Sequence, residues 1–132
     1  MSLYQILSLH SPINHLTVLD NLDELLPVIK RVYIINSITN NHIVGNHAHK
    51  KLQQVIIPIN GMFTLGLDNG YEKVNLTISS DLFEAIKIFP GVWRTLSNFS
   101  DNCVLIVLAS EPFNENDYIR NYSDFLKWSK YN

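Results

Sequence analysis

Gln53-Gln54-Val55-Ile56-Ile57-Pro58-Ile59 runs into Asn60-Gly61, and Met62-Phe63-Thr64-Leu65-Gly66-Leu67 runs into Asp68-Asn69-Gly70. Both apolar runs have the length of a strand and end in a turn-forming pair. Asn-Gly tolerates positive φ and suits tight hairpins. With Tyr71 to Ile78 following, the segment predicts three strands of an antiparallel meander.

The same signals recur on both sides. Upstream, Leu16 to Leu19 reads as a strand after Ser11-Pro12, and Arg31-Val32-Tyr33-Ile34-Ile35 as another. The polar stretch Asn36 to His42 reads as a loop. Downstream, Ala85 to Phe89 and Cys103 to Ala109 add two strands. Only the ends read as helical. Leu22 to Val28 suits a short turn, weakened by Pro27. From Asp117 onward, Ile119, Tyr122, Phe125 and Leu126 make one apolar stripe at helical spacing. Asn116 and Asp117 are candidate caps for that helix, and Lys127 and Lys130 suit its C-terminal end. The pattern predicts an all-β sandwich or barrel carrying a short C-terminal helix.

The chain has 132 residues, enough for one domain spanning 1–132. Its formal charge of -2 offers no basic excess for nucleic acid or an anionic membrane. No apolar run approaches a membrane span, and the N-terminus lacks the pattern of a signal peptide. The single Cys103 sits in an apolar run and is expected to be a buried, inert thiol. A bacterial cytoplasm is the expected location.

Gly45-Asn46-His47-Ala48-His49-Lys50-Lys51 precedes the opening stretch. Residues two apart on a strand share a face, so His47 and His49 project together and the small Ala48 turns away. Facing inward, the two imidazoles share a pocket and can trade protons near neutral pH. Facing outward, they are ordinary surface residues, and spacing alone fits either.

The spacing resembles the cupin pattern. His47, His49, Gln54 and Gly61 match its first motif, and Gly91, Arg94 and Asn98 match its second. In metal-binding cupins, Gln54 stands where a glutamate ligand would be, and Arg94 where a third histidine would be. Arginine is always charged and has no lone pair to give, so no metal is expected.

Nearly the whole chain resembles the dTDP-4-keto-6-deoxyglucose 3,4-ketoisomerases, metal-free cupins that feed deoxyaminosugar synthesis for bacterial surface glycans such as lipopolysaccharide O-antigen. The matching segments are Ile29-Lys30-Arg31-Val32-Tyr33, Gly45 to Lys51, Pro90-Gly91-Val92-Trp93, Val107 to Glu111, and Asp117 to Tyr122 with Phe125. The resemblance implies a cupin jelly-roll barrel and a homodimer, with the N-terminal strand Leu3 to Leu9 free to pair with a neighbour's sheet edge. It implies no cofactor and a dTDP-linked keto sugar bound in the barrel mouth. His47, His49 and Tyr33 are the implied catalytic groups, with His49 favoured for the C3 proton. Arg94, Gln54, Arg31, Asn46 and Trp93 are the candidate substrate-binding residues: Arg94 for the oxyanion, Gln54 for a sugar hydroxyl, Arg31 for the diphosphate and Trp93 for stacking. The chain departs from the family in three places. Ile13 and Val44 replace two arginines, and Arg94 replaces a histidine. A nucleotide-sugar-binding paralogue without turnover is the alternative those replacements leave.

Overall fold

The computed structural model describes residues 2–39 and 41–132. The elements are β1 (Tyr4–Ser8), α1 (Leu22–Leu25), β2 (Arg31–Ile35), β3 (Val44–His49), β4 (Gln54–Asn60), β5 (Met62–Asp68), β6 (Lys73–Ser79), β7 (Glu84–Ile88), β8 (Trp93–Ser97), β9 (Val104–Ala109), β10 (Tyr118–Ile119) and α2 (Tyr122–Tyr131). Two five-stranded antiparallel sheets, ordered β1-β7-β4-β9-β2 and β10-β3-β8-β5-β6, face each other as a jelly roll. Ile56, Ile86, Ile88, Leu105 and Val107 of the first sheet and Phe63, Leu65, Leu67 and Leu96 of the second fill the space between them.

The expected meander does not form. β5 and β6 make the predicted hairpin, from Met62↔Ser79 to Asp68↔Lys73. β4 instead pairs with β7 and β9 in the other sheet. The reason is burial on both of its faces. Ile56 points into the barrel, while Val55 and Ile57 pack outward against Leu25 and Leu26. A strand covered on both sides belongs at the centre of a sheet, so the Asn60-Gly61 turn carries the chain across the sandwich. Gly61, with φ 88°, makes that crossing against Ser100, whose Oγ would lie 2.3 Å from any Cβ built there.

Other boundaries differ for local reasons. Leu16 to Leu19 forms only an isolated bridge, Val18 to His10. β6 starts at Lys73 because Asn69 Oδ1 accepts from the backbone N–H of Tyr71 and Glu72 and holds them in the turn. β8 follows the Pro90-Gly91 turn, but its residues Trp93-Arg94-Thr95-Leu96-Ser97 lack the apolar run that marks the other strands in the sequence. The C-terminal helix starts later than its stripe suggests, because Tyr118 and Ile119 pair with His49 and Ala48 as β10. Asn121 is the cap, accepting from Asp124 N–H at 2.9 Å. β1 pairs with β7 from Tyr4↔Ile88 to Ser8↔Glu84 and forms one edge of its sheet, with its outer side open. Cys103 is buried, and burial raises its thiol pKa, as an inert core residue requires.

Candidate active site

β3 reaches the site through a bulge. Its register against β8 shifts between Gly45 and His47. Gly45 has φ 93°, and a Cβ there would stand 2.8 Å from the Arg94 carbonyl oxygen, so only glycine permits this approach. Past the bulge, strand alternation separates the faces. Asn46 points out. His47 and His49 point together, and Ala48 turns to pack with Trp93, Ile119 and Phe125 under α2.

A half-open cavity of about 190 Å³ lies between the sheets, walled by Arg31, Tyr33, His47, Gln54, Arg94 and Tyr118 among others. Its volume equals roughly six water molecules, room for one sugar ring. A larger open cleft of about 570 Å³, beside Lys50, Tyr71, Trp128 and Tyr131, contains no imidazole, thiol or carboxylate side chain.

The hydrogen bonds fix how each group is protonated. His47 Nδ1 lies 2.9 Å from the Gly45 carbonyl. A carbonyl only accepts, so Nδ1 carries the hydrogen and Nε2 keeps its lone pair. His49 is 1% exposed, and its Nδ1 donates to Asp117 Oδ2 at 3.1 Å. Asp117 is itself anchored by the backbone N–H groups of Lys51 and Leu52 at 2.8 and 3.3 Å. The two imidazoles meet edge to face, centroids 4.8 Å apart. Tyr118 lies 4.9 Å from His47 and 4.4 Å from His49.

Both histidines are neutral bases. Burial first, then the Arg94 charge, lowers His47 from 6.5 to about 4. Burial, Arg94 and His47 hold His49 well below the ordinary imidazole range. Burial raises the Tyr33 phenol, opposed by its Gln54 hydrogen bond and by Arg94.

Arg94 is the most unusual group. It is 1% exposed and has no carboxylate partner among the described residues. Nη1 donates to Gln54 Oε1, Nη2 donates to the Val92 carbonyl at 2.7 Å, and Nε has no partner. Burial lowers its pKa to about 10, so it stays cationic at neutral pH.

Of the candidate residues, Tyr33, His47, Gln54, Arg94 and Arg31 wall the cavity, with His49 packed behind His47. His47, rather than the favoured His49, reaches the cavity wall. Gln54, expected to bind a sugar hydroxyl, has both ends of its amide engaged within the protein. Arg31 lies over the Tyr33 ring at 4.6 Å and near Phe113 at 5.7 Å. Asn46 and Trp93 are not in the cavity. They line a groove on the opposite face of the sheet, because Trp93 alternates with Arg94 on β8 and the bulge turns Asn46 outward. Trp93 packs against Tyr122 and Phe125 instead. Asp117, expected only as a helix cap, and Tyr118 are site residues to which no sequence reading assigned a catalytic role. Arg120 pairs with the Glu115 carboxylate at 2.6 and 2.9 Å.

A base at the cavity wall, a phenol across from it and a cation with no carboxylate partner suit the class of acid–base isomerases, here on a cupin barrel. Residues 1–130 match the family described as FdtA: WxcM-like, C-terminal. The chain is 41% identical over 100 residues to the TDP-4-oxo-6-deoxy-alpha-D-glucose-3,4-oxoisomerase of Aneurinibacillus thermoaerophilus, covering 76% of this chain and 71% of that one. It also superimposes on the sugar 3,4-ketoisomerase QdtA of Thermoanaerobacterium thermosaccharolyticum, solved with TDP. There the TM-score is 0.90 at 34% identity, over 98% of this chain and 96% of that one. A 3,4-ketoisomerase from Helicobacter canadensis matches with a TM-score of 0.87 at 36% identity, over 96% and 97% of the two chains. The chain belongs to this FdtA family of sugar 3,4-ketoisomerases.

Proposed function

We propose that this enzyme moves the keto group of a TDP-linked 4-keto-6-deoxyhexose from C4 to C3 through an enediol, on a route to deoxyaminosugars. The observation that carries this reading is Arg94, a buried cation with no carboxylate partner beside two neutral imidazoles. An uncompensated buried charge costs stability. It is useful where negative charge develops during reaction.

The C4 ketone acidifies the hydrogen on C3. His47 Nε2 takes that proton, and the electron pair of the broken C3–H bond moves toward O4, giving an enediolate beside Arg94. The Tyr33 hydroxyl gives its proton to O4 and takes one from O3. Protonated His47, whose Nε2–H exchanges with water, then delivers a proton to C4. C3–H has broken, C4–H has formed, and no redox partner is needed. His49, tied to Asp117, holds the His47 and Tyr118 rings in place. The cavity has no room for the diphosphate or nucleoside, so these lie at its mouth. There Arg31 offers bidentate phosphate pairing. The QdtA complex with TDP supports a TDP-linked ligand.

The chemistry needs no metal or organic cofactor. A guanidinium beside the imidazoles repels a divalent cation, and an amide stands where a carboxylate ligand would serve. Incubation with TDP-4-keto-6-deoxyglucose in heavy water containing EDTA is the test. The expected result is a 3-keto product carrying deuterium in the sugar ring at an undiminished rate. Binding without exchange would mark a ligand-binding paralogue, and loss of turnover in EDTA would overturn the metal-free reading.

A homodimer accompanies this reading. β2 is a sheet edge, and its outward Val32 and Ile34 are 57% and 59% exposed. Light scattering at micromolar concentration is expected to give the mass of two chains; a single-chain mass would refute the dimer. The charged nucleotide-linked substrate fits a cytoplasmic enzyme, and among the described residues no helix is long and apolar enough to cross a membrane.

A further inference from the structure

We infer that Gln54 is a positioning residue that makes Tyr33 a two-way proton carrier. This rests on the isomerase reading above. Gln54 is 3% exposed and sits between two cavity groups. Arg94 Nη1 can only donate, so the amide oxygen must face it. The amide nitrogen therefore faces Tyr33 and donates to the phenol oxygen at 3.3 Å. The amide orientation is thus dictated by the cation.

This arrangement has two consequences for Tyr33. With an N–H already pointing at its oxygen, the phenol's own hydrogen turns away from Gln54 and into the cavity, where O4 can receive it. Once that proton has gone, the phenolate keeps the Gln54 hydrogen bond, which strengthens when the acceptor is charged. The Arg94 charge acts through the amide dipole in the same sense. The phenolate then takes the proton from O3, and the cycle closes with Tyr33 restored.

A carboxylate at this position would fail in both respects. It would accept the Tyr33 hydrogen rather than donate to its oxygen, and it would neutralise Arg94. That is a physical reason for glutamine on this wall of the barrel, separate from metal binding. Gln54 lines the cavity, yet both ends of its amide are used within the protein.

The two proton steps can be separated. Removal of the C3 hydrogen belongs to His47, and transfer between O3 and O4 belongs to Tyr33. With Gln54→Glu, neutralising Arg94 should slow enediolate formation, and the enediolate that does form should revert more often than it goes forward. In heavy water, deuterium at C3 of recovered substrate, divided by 3-keto product formed, is expected to rise about tenfold, the scale of one hydrogen bond to a charged group. KM should stay within about twofold, because Gln54 does not touch the sugar in this scheme. Gln54→Met, uncharged and of similar volume, should shift the ratio in the same direction; a thermal melt on each variant identifies any that fails to fold. An unchanged ratio in a folded Gln54→Met protein, with exchange and turnover falling together or not at all, overturns the proposal. Wild-type protein showing neither exchange nor product would instead overturn the isomerase reading itself.

Discussion

Replacing His47 with asparagine is expected to lower kcat by about 10²–10⁴, the range for loss of a general acid–base group, with KM little changed. His47 Nδ1 is committed to the Gly45 carbonyl, so Nε2 is its one free base, and it faces the cavity. An asparagine amide fills much of the space and has no basic lone pair. Deuterium exchange at C3 of the substrate should vanish together with product, unlike in the Gln54 variants. The pH profile tests the same assignment. The active form of His47 is neutral, and its pKa is lowered to about 4 by burial and Arg94. Rate is lost as pH falls through the folded value, so kcat/KM is expected to hold from pH 7 toward 5 and to fall near 4. An ordinary histidine would break near 6.5. Stability moves in the same direction. The unfolded chain binds this proton more readily, so folding weakens as pH drops from about 6.5 toward 4. Circular dichroism alongside the kinetics separates the two losses. A kinetic break near 6.5 in folded protein, or a larger loss in His49→Asn than in His47→Asn, would give the base role to another group.

That assignment shows what the sequence could and could not convey. The shared face of His47 and His49 was legible because strand alternation is local and needs no partner. β2 was legible to the residue for the same reason. The choice between the two imidazoles was not legible, because it depends on Asp117, 68 residues away, claiming His49 Nδ1. Asn46 and Trp93 were misplaced because their direction depends on the bulge at Gly45 and on the phase of β8, whose mixed polar and apolar residues follow the Pro90-Gly91 turn without an apolar run. The two Asn/Gly turns looked alike, yet one closes a hairpin and the other crosses the sandwich. What separates them is the double-sided burial of β4, which involves α1, β7 and β9, all distant in sequence. Gln54 was read as the absence of a metal ligand and as a candidate partner for a sugar hydroxyl. Its positive role needs the amide's direction, which the Arg94 guanidinium sets across 40 residues.

Arg94 carries the second large effect. Arg94→Met is expected to lower kcat by about 10²–10³, the cost of removing one preorganised oxyanion stabiliser, with KM within a few-fold. Folding should respond far less, because two contributions oppose each other. Burial holds the Arg94 pKa at about 10, which puts the cost of keeping this charge in the core on the order of 3 kcal/mol. Methionine relieves that cost but leaves Gln54 Oε1 and the Val92 carbonyl without their donors, at about 1–3 kcal/mol each. The net change in unfolding free energy is therefore expected between about 1 kcal/mol of stabilisation and about 3 kcal/mol of destabilisation, measured by denaturant titration. Arg94→Lys should recover only part of the rate. One ammonium on a flexible stem cannot reproduce the planar fork that reaches Gln54 and Val92 together. The competing account makes Arg94 a phosphate contact, and it predicts the opposite kinetic split: a raised KM with kcat nearly intact. The geometry opposes that account, since the guanidinium is 1% exposed and both of its terminal nitrogens are engaged, by Gln54 and by the Val92 carbonyl. An unchanged kcat in folded Arg94→Met would remove Arg94 from the oxyanion role, and the uncompensated cation in the barrel would then need another explanation.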